Sequence, residues 1–263
     1  MDLPTLKLFS LEGRVAIVTG GNRNIGFGLS RGLAGAGARV LIANRDAASG
    51  QAAVARLQQE GYDVAAVTTD VGDPESCRRM ARAALDRWSR IDVLVNNAAV
   101  RVDKTAADHT AEDFDWIMGV NVRGILHACQ AAYPTMRAQK KGRIINIGSI
   151  SAYKGVWKRT SYSASKGAVA ALTRGLAVEW APDGITVNAL SPGAVASAER
   201  PPDPSNPRYR ATVDLIPLGR FSPPDDLVGL CVFLASDASA YLTGQDILID
   251  GGWSLTMRPM SAP

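Results

Sequence analysis

The chain has 263 residues, of which 46% are hydrophobic and 21% charged, a composition typical of a folded protein with one sizeable core. Its net charge of +4 comes without a dense basic run or a nucleic-acid-binding motif, which argues against DNA or RNA as a partner. No apolar run approaches the ~20 residues of a membrane span, and the amino terminus lacks the pattern of a secretory signal. We therefore expect a cytoplasmic protein with no membrane partner.

Three cysteines and two histidines are the residues that would most readily form disulfides or metal sites. Cys77, Cys129 and Cys231 lie far apart, and an odd, scattered set argues against a disulfide framework and against a zinc site. His109 and His127 have no plausible ligand beside them in the sequence. We therefore expect structural histidines, buried reduced thiols and no bound metal.

Short apolar segments rich in β-branched residues alternate with helical patterns along the chain. Strands are predicted at 14–19, 39–43, 63–68, 91–96, 142–148, 184–190 and 245–250, and helices near 25–36, 46–60, 74–89, 111–138, 162–180 and 223–236. Strands that are apolar on both faces and alternate with helices form buried parallel sheets. The pattern predicts an α/β fold, a Rossmann-type doubly wound parallel sheet of seven strands with helices on both faces, in one domain over residues 1–263.

Residues 194–222 interrupt this alternation with a segment that holds five of the 14 prolines and four arginines. The segment lies between the sixth and seventh predicted strands. A long insertion after a strand is often a functional lid, because such sheets bind ligands at the carboxyl ends of their strands. We expect a substrate loop here; a disordered surface loop is the alternative.

The stretch "TGGNRNIGFG" at residues 19–28 is a glycine-rich turn that follows a strand and opens a helix. Exposed N–H groups at such a helix start bind phosphate groups. The stretch does not fit the G-x-G-x-x-G fingerprint, and Asn24 stands between the glycines, where its side chain could crowd a phosphate. Asparagine tolerates left-handed backbone conformations better than most residues, so we expect a working turn. A turn without a ligand is the alternative.

The end of the second predicted strand indicates which dinucleotide would fit. An acidic residue there bonds the ribose 2′-hydroxyl of NAD, whereas an arginine accommodates the 2′-phosphate of NADP. Here Asn44 and Arg45 follow the strand, and Arg23 lies inside the turn. Two guanidinium groups near one phosphate form a strong anion site, so the sequence predicts NADP(H). Two solvated surface arginines are the alternative.

The segment "SISAYKGVWKRTSYSASKGA" contains the candidate reactive groups. Tyr162 and Lys166 are four residues apart and share one helix face. A lysine cation beside a tyrosine hydroxyl favours the phenolate and makes the tyrosine a usable proton donor and acceptor. Ser149 ends a buried strand 13 residues before Tyr162, at the carboxyl edge of the predicted sheet. A tyrosine and a lysine at this spacing would alone indicate only a solvated helix face; the serine and the upstream turn favour a catalytic site.

Together these residues resemble the motifs of the short-chain dehydrogenase/reductase family, over nearly the whole chain from about residue 11 to residue 253. The motifs occur in the family's order: "TGGNRNIG" for the turn, with Asn24 in place of the middle glycine, "TDV" at 69–71, "NNAA" at 96–99, Asn121 in "VNVRG", then Ser149, Tyr162, Lys166 and "SPG" at 191–193. An ordered set of this kind is far more specific than any one motif.

The resemblance implies a single dinucleotide-binding catalytic domain that transfers a hydride between NADP(H) and a carbonyl or secondary alcohol. Tyr162 would exchange a proton with the substrate oxygen, Ser149 would orient that oxygen, Lys166 would support the tyrosine and bind the ribose, and Asn121 would hold a relay water. The implied cofactor contacts are Gly20, Asn22, Arg23, Asn24, Ile25, Gly26, Asn44, Arg45, Asp70, Val71, Asn97, Ala98, Ala99, Tyr162, Lys166, Pro192, Gly193, Val195 and Ser197. A homo-oligomer, commonly a tetramer, is also implied.

The substrate is less sharply indicated. The amino-terminal stretches are similar to family members that act on sugar acids and ketoses, so we expect a small polar ketose, a keto sugar acid or a polyol. Lys154, Lys158, Arg159 and the arginines of residues 194–222 could attract a carboxylate or phosphate, although ordinary solvated charge fits equally well. A 3-oxoacyl thioester is the alternative within the same chemistry. A nucleotide-binding regulatory protein without catalysis is the alternative of another class, and the complete Asn-Ser-Tyr-Lys set argues against it.

Overall fold

One parallel sheet of seven strands organises the computed structural model, which describes residues 4–197 and 201–256. The strands are β1 (Val15–Thr19), β2 (Arg39–Asn44), β3 (Val64–Thr68), β4 (Val93–Asn96), β5 (Gly142–Ile147), β6 (Ile185–Pro192) and β7 (Asp246–Ile249). They lie in the order β3-β2-β1-β4-β5-β6-β7, and every neighbouring pair is parallel. This order confirms the doubly wound seven-stranded sheet predicted from the sequence. The prediction was possible because strands that are apolar on both faces occur almost only in parallel sheets covered by helices.

Helices cover both faces of this sheet. They are α1 (Pro4–Lys7), α2 (Asn24–Gly35), α3 (Ala47–Gln59), α4 (Pro74–Trp88), α5 (Ala111–Met118), α6 (Gly124–Gln139), α7 (Thr160–Trp180), α8 (Pro207–Val213) and α9 (Val228–Ala235). Buried side chains of α4, α6 and α7 form the core on one face, and those of α2, α3 and α9 form the core on the other. The strand order reverses between β1 and β4, which opens a crevice at their carboxyl ends.

The predicted long helix at 111–138 differs from the observed one. Helices α5 and α6 are joined by a π-helical turn, Gly119–Arg123, in which Asn121 is fully buried. Such a turn contains one extra residue and often occurs at a functional site. Hydrophobic periodicity does not reveal it, because the apolar face continues on both sides of the turn.

The amino edge of the sheet, opposite the crevice, is held by a charge cluster around Asp237. Its carboxylate pairs with Arg14 Nη2 at 2.6 Å, Lys141 Nζ at 2.9 Å and Arg143 Nη2 at 3.1 Å. Burial raises the pKa of Asp237, but hydrogen bonds from Lys141 and Arg14 and the charges of both outweigh that effect, so the pKa lies below its ordinary value. Arg143 is almost completely buried. The cluster therefore ties the end of α9 to β1 and β5.

Asp237→Asn is expected to destabilise the fold by about 2–3 kcal/mol at pH 7, because it leaves a buried guanidinium without its counter-charge. A carboxyl with a depressed pKa stabilises above its unfolded pKa, and this contribution is lost as the pH falls through the folded pKa. The difference in unfolding free energy between wild type and variant should therefore shrink below about pH 4. Urea unfolding at pH 7 and pH 3 measures it, with Asp86→Asn at an exposed site as control. An unchanged difference at the two pH values would contradict this account.

The three cysteines are buried, as the sequence predicts. Cys77, Cys129 and Cys231 are buried and unbridged; burial raises the pKa of Cys77 to about 11 and the pKa values of the other two to about 12, so all three stay protonated. Within residues 4–197 and 201–256, no group of three His, Cys, Asp or Glu side chains is arranged to hold a metal ion. In the same part of the chain, no helix combines the length and the apolarity needed to cross a membrane.

Candidate active site

A two-part cleft lies at the carboxyl ends of the strands, where the strand order reverses. The first compartment, of about 770 Å³, runs from the turn after β1 past the ends of β2 and β3. The second, of about 870 Å³, lies over the ends of β5 and β6. Both are lined by the same six residues where they meet: Ile25, Asn97, Ala99, Arg101, Tyr162 and Val195. Tyr162 is therefore at the junction of the two compartments.

The turn between β1 and α2 folds despite the asparagine in it. Asn24 has φ = 48°, in the left-handed region that asparagine tolerates. Gly26 must be glycine, because a Cβ there would lie 2.0 Å from the carbonyl oxygen of Gly20. Arg23 precedes the helix and its side chain makes no capping hydrogen bond. The first N–H groups of α2 are thus not capped by the preceding residue, which is the arrangement that phosphate-binding turns use.

The residues after β4 hold this turn in place. The amide Nδ2 of Asn97 donates to the carbonyl oxygens of Thr19 and Gly20, both at 3.0 Å. The Thr19 hydroxyl oxygen accepts from the backbone N–H groups of Asn97 at 3.0 Å and Ala98 at 3.1 Å. Asn97 was predicted as a cofactor contact. It lines both compartments, and its amide also fixes the backbone of the turn.

The far end of the first compartment contains both predicted arginines. Arg23 and Arg45 are exposed and line it together with the buried Asn44. Sequence reasoning missed an acid here: Asp46 also lines the compartment. Its carboxylate, however, caps α3 by accepting from the backbone N–H of Ser49 at 2.6 Å, and this bond lowers the pKa of Asp46. The capping pattern of Asp46 and Ser49 before a helix was the available signal.

The loop after β3 closes the side of the first compartment. Asp70 and Val71, which the sequence predicts as cofactor contacts, both line it. Asp70 Oδ1 accepts from the backbone N–H of Gly72 at 2.9 Å, and Nδ1 of His127 lies 3.1 Å from the carbonyl oxygen of Val71. His127 therefore supports this loop from α6, which agrees with the structural role expected for it.

The candidate reactive groups meet in the second compartment. Ser149, Tyr162 and Lys166 all line it. Lys166 is buried, and its ammonium group donates to the carbonyl oxygen of Ile147 at 2.7 Å and lies 5.6 Å from the centre of the Tyr162 ring. The Ser149 Oγ accepts from the backbone N–H of Ser151 at 3.1 Å. This bond uses a lone pair of Ser149 and leaves its hydroxyl hydrogen for another acceptor.

Asn121 lies behind these groups and lines neither compartment. Its Oδ1 accepts from the backbone N–H of Val100 at 2.8 Å, and its Nδ2 donates to the carbonyl oxygen of Val100 and to Ser165 Oγ. The Ser165 hydroxyl in turn donates to the carbonyl oxygen of Tyr162 at 2.7 Å. The amide of Asn121 thus connects the loop after β4 to the first turn of α7.

The segment after β6 covers the second compartment. Pro192 and Gly193 line that compartment, Ser197 lines the first, and Val195 lines both. The ends of the segment pair, because Ala196 N donates to Ser222 O at 2.8 Å and Ser222 N donates to Ala194 O at 2.9 Å. Helix α8 contributes Arg208, Tyr209 and Thr212 to the lining, and Phe221 lines it just before Ser222. Residues 198–200 of the predicted substrate loop lie outside the described residues.

Two tryptophans stand at the mouth of the second compartment. Trp157 is 80% exposed and lines it, and Trp253 lines it from the segment after β7. Lys154 does not line the cleft, because its ammonium group donates to the carbonyl oxygens of Trp253 at 3.1 Å and Thr256 at 3.3 Å. Sequence reasoning did not single out Trp253 for the site, since residues far apart in the chain meet there.

Comparisons with known proteins agree with this geometry. The family model described as "Enoyl-(Acyl carrier protein) reductase" matches residues 20–254. The chain is 38% identical over 246 residues to a 2-dehydro-3-deoxy-D-gluconate 5-dehydrogenase of Bacillus subtilis, covering 93% of this chain and 96% of that protein. It is 35% identical over 245 residues to a 3-oxoacyl-[acyl-carrier-protein] reductase of Synechocystis, covering 92% and 98%.

A solved structure extends the comparison to the cofactor. A gluconate 5-dehydrogenase from Burkholderia cenocepacia, in complex with NADP and tartrate, superposes with a TM-score of 0.91 at 33% identity, covering 96% of this chain and 100% of that one. The sequence motifs, the parallel sheet and these matches agree from the first strand to the last. The chain therefore belongs to the short-chain dehydrogenase/reductase family and is an NADP-dependent oxidoreductase.

Proposed function

We propose that this oxidoreductase interconverts a carbonyl group and a secondary alcohol on a small polar ketose, keto sugar acid or polyol. The observation that carries the proposal is that Tyr162, Ser149 and Lys166 line one compartment, and that Tyr162 also lines the compartment for the dinucleotide. A substrate held beside Tyr162 would therefore be next to the compartment proposed for the dinucleotide. The names of relatives such as the gluconate and 2-dehydro-3-deoxy-D-gluconate dehydrogenases support the substrate class.

The residues of the first compartment fit NADP(H). The uncapped start of α2 suits the pyrophosphate, and Arg23 and Arg45 suit the 2′-phosphate, because their guanidinium groups match its charge and geometry. When bound, the cofactor supplies or accepts the hydride. The other predicted contacts, from Asp70, Val71, Asn97, Ala98, Ala99, Pro192, Gly193, Val195 and Ser197, would surround its adenine, ribose and nicotinamide ends.

Tyr162 and Ser149 act on the substrate oxygen. In the reducing direction, the Tyr162 hydroxyl gives its proton to this oxygen as negative charge develops there, and Ser149 donates a hydrogen bond to the same atom. Ser149 is oriented for this by accepting from the N–H of Ser151. The same two groups operate in reverse when an alcohol is oxidised.

Lys166 and Asn121 prepare Tyr162 for this role. The buried ammonium group of Lys166, anchored on the carbonyl oxygen of Ile147, stabilises negative charge on the tyrosine oxygen. Asn121 acts as a positioning residue, because its amide bonds to Val100 and Ser165 fix the helix turn that carries Tyr162. The family resemblance implies that Asn121 also holds a relay water. Its side-chain amide is already bonded to Val100 and Ser165, so we do not propose that the amide binds this water.

A 3-oxoacyl thioester is the second candidate substrate, favoured by the Synechocystis relative and by the description of the matching family model. Oxidation of NADPH is followed by absorbance with 5-keto-D-gluconate, L-sorbose and acetoacetyl-coenzyme A. We expect the higher kcat/KM for one of the two sugars. A clearly higher value for the thioester would replace the sugar assignment, and no oxidation with any carbonyl compound would contradict the proposed function.

The catalytic domain, with residues 194–222 as its substrate loop, is proposed to work as a cytoplasmic homotetramer. Phe114 and Trp116 on α5 expose large apolar surfaces, and so do Tyr241 and Leu248 near the edge strand β7. Such patches favour self-association, since contact removes them from water. Light scattering after size exclusion should give four times the 27.8 kDa chain mass. A monomer at micromolar concentration would contradict the tetramer without affecting the proposed reaction.

A further inference from the structure

The second compartment is lined by more cations than anions among the described residues. Its cationic lining residues are Arg101, Lys158, Arg159, Lys166 and Arg208, and its carboxylates are Asp103 and Asp203. A cleft lined mainly by one sign of charge concentrates ligands of the opposite sign. The balance of five cations to two carboxylates therefore favours an anionic substrate over a neutral one.

Arg159 is the best placed of these cations to bind a substrate. Lys158 and Arg208 are exposed, and Lys166 is bound to the carbonyl oxygen of Ile147. The side chain of Arg159 is only 24% exposed. Its carbonyl oxygen accepts from Ser163 N at 2.8 Å, so its backbone belongs to the first turn of the helix that carries Tyr162. The guanidinium of Arg159 thus has a defined position relative to the proton-exchanging hydroxyl.

Asp103 orients this guanidinium from the loop after β4. Its Oδ1 lies 3.4 Å from Nε of Arg159, and its Oδ2 lies 3.5 Å from Nε of Arg101. One carboxylate is therefore shared by two guanidinium groups, and the trio has a net charge of +1. Because Asp103 engages the Nε side of Arg159, the two Nη groups of Arg159 remain for a ligand in the compartment.

We propose that Arg159, oriented by Asp103, binds the carboxylate of an anionic substrate through its Nη groups, so that the enzyme acts on hydroxy and keto acids. The inference rests on the proposed function and narrows its substrate class. A planar guanidinium binds a carboxylate with two parallel hydrogen bonds, which a lysine at the same position cannot do. The incoming carboxylate would give the two arginines two counter-charges. A neutral ketose or polyol would form neither the paired hydrogen bonds nor the second ion pair.

A matched pair of substrates measures how much the carboxylate contributes to kcat/KM. 5-Keto-D-gluconate and L-sorbose present the same C5 ketone, in gluconate numbering, and differ only in bearing a carboxylate or a hydroxymethyl group at C1. We expect wild type to favour the acid, and Arg159→Gln to lower the acid-to-neutral ratio of kcat/KM by roughly 10- to 100-fold, mainly through KM. The acid-to-neutral ratio of kcat/KM for Arg159→Lys should lie between the ratios for wild type and Arg159→Gln. Binding of NADPH should be unchanged, because Arg159 does not line the first compartment.

Binding without turnover provides a second measurement. D-Gluconate and D-sorbitol are titrated by calorimetry into the NADPH complex, which cannot oxidise them, and the ratio of their dissociation constants is compared between wild type and Arg159→Gln. Arg82→Gln, which removes one exposed positive charge outside both compartments, is the control and should leave the ratio unchanged.

The outcomes separate this inference from the proposed function. An acid-to-neutral ratio near one in wild type, or a ratio that Arg159→Gln does not lower, would overturn the role of Arg159 even if the enzyme reduces both sugars. Failure of every carbonyl compound to oxidise NADPH would instead contradict the proposed function. The gluconate-to-sorbitol binding ratio would in that case still decide whether Arg159 binds a carboxylate.

Discussion

Replacing Tyr162 with phenylalanine is expected to lower kcat by roughly 10²–10⁴-fold while leaving the dissociation constant of NADPH within a few-fold of wild type. The phenylalanine keeps the ring beside the Lys166 ammonium group but removes the hydroxyl that we propose exchanges a proton with the substrate oxygen. We propose that the dinucleotide is held mainly by the turn after β1 and by Arg23 and Arg45, which the substitution leaves intact. Stopped-flow single turnover and a fluorescence titration with NADPH measure the two quantities.

Tyr153→Phe is the matched control for this prediction. Tyr153 lies between Ser149 and Tyr162 in the sequence but lines neither compartment, and its hydroxyl donates to Asp246 Oδ2 at 2.9 Å. Burial and the hydrogen bond to Asp246 raise the pKa of Tyr153 to about 12, so this tyrosine is a poor proton exchanger near neutral pH. We expect a kcat close to that of wild type. Turnover by Tyr162→Phe at the rate of Tyr153→Phe would show that another group supplies the proton.

Arg45→Asp is expected to weaken NADPH binding by roughly 10- to 100-fold and to shift the cofactor preference toward NADH. The substitution removes one of the two guanidinium groups proposed to hold the 2′-phosphate and places a carboxylate where it repels that phosphate. The same carboxylate can accept a hydrogen bond from the ribose hydroxyl of NADH. Asp46 is not expected to take over this task, because its carboxylate is bound to the N–H of Ser49.

Fluorescence titrations with NADPH and NADH measure the preference as a ratio of two dissociation constants. Wild type should bind NADPH much more tightly than NADH. Arg82→Asp makes the same change of charge on an exposed face of α4 and should leave the ratio unaltered. If Arg45→Asp also leaves it unaltered, Arg45 does not read the 2′-phosphate, and Arg23 becomes the residue to test. Weak binding of both dinucleotides by wild type would mean that Asn24 obstructs the turn.

Most of the fold was predictable because its signals are local. A run such as Val15–Thr19 is short, apolar on both faces and rich in β-branched residues, which favours a buried parallel strand. The observed strands begin and end within two residues of the predicted bounds. The turn at 19–28 was predictable for the same reason: glycine and asparagine are the residues that adopt its backbone angles. Asn24, which replaces the middle glycine of the family's turn, has the left-handed conformation that asparagine tolerates.

Features that depend on contacts between distant segments were not predictable. The π-helical turn that buries Asn121 interrupts a helix whose hydrophobic periodicity looks continuous. The side-chain amide of Asn121 forms hydrogen bonds with Val100 and Ser165. Asp46 is close to the cofactor compartment in sequence, but only the geometry of α3 shows that its carboxylate is engaged in a cap.

The sequence by itself determined the order of the elements and the glycine-rich turn, because backbone propensity, burial of apolar faces and helical spacing act between residues close along the chain. It also named the candidate reactive groups. Only the tertiary structure decided how the second compartment is lined. Asp103, Arg159 and Trp253 come from three different loops, and they line one compartment because the carboxyl ends of parallel strands lie at one edge of the sheet. The sequence marked Arg159 as a cation that could attract a carboxylate, but its ion pair with Asp103, on which the proposed substrate selection depends, is visible only in the tertiary structure.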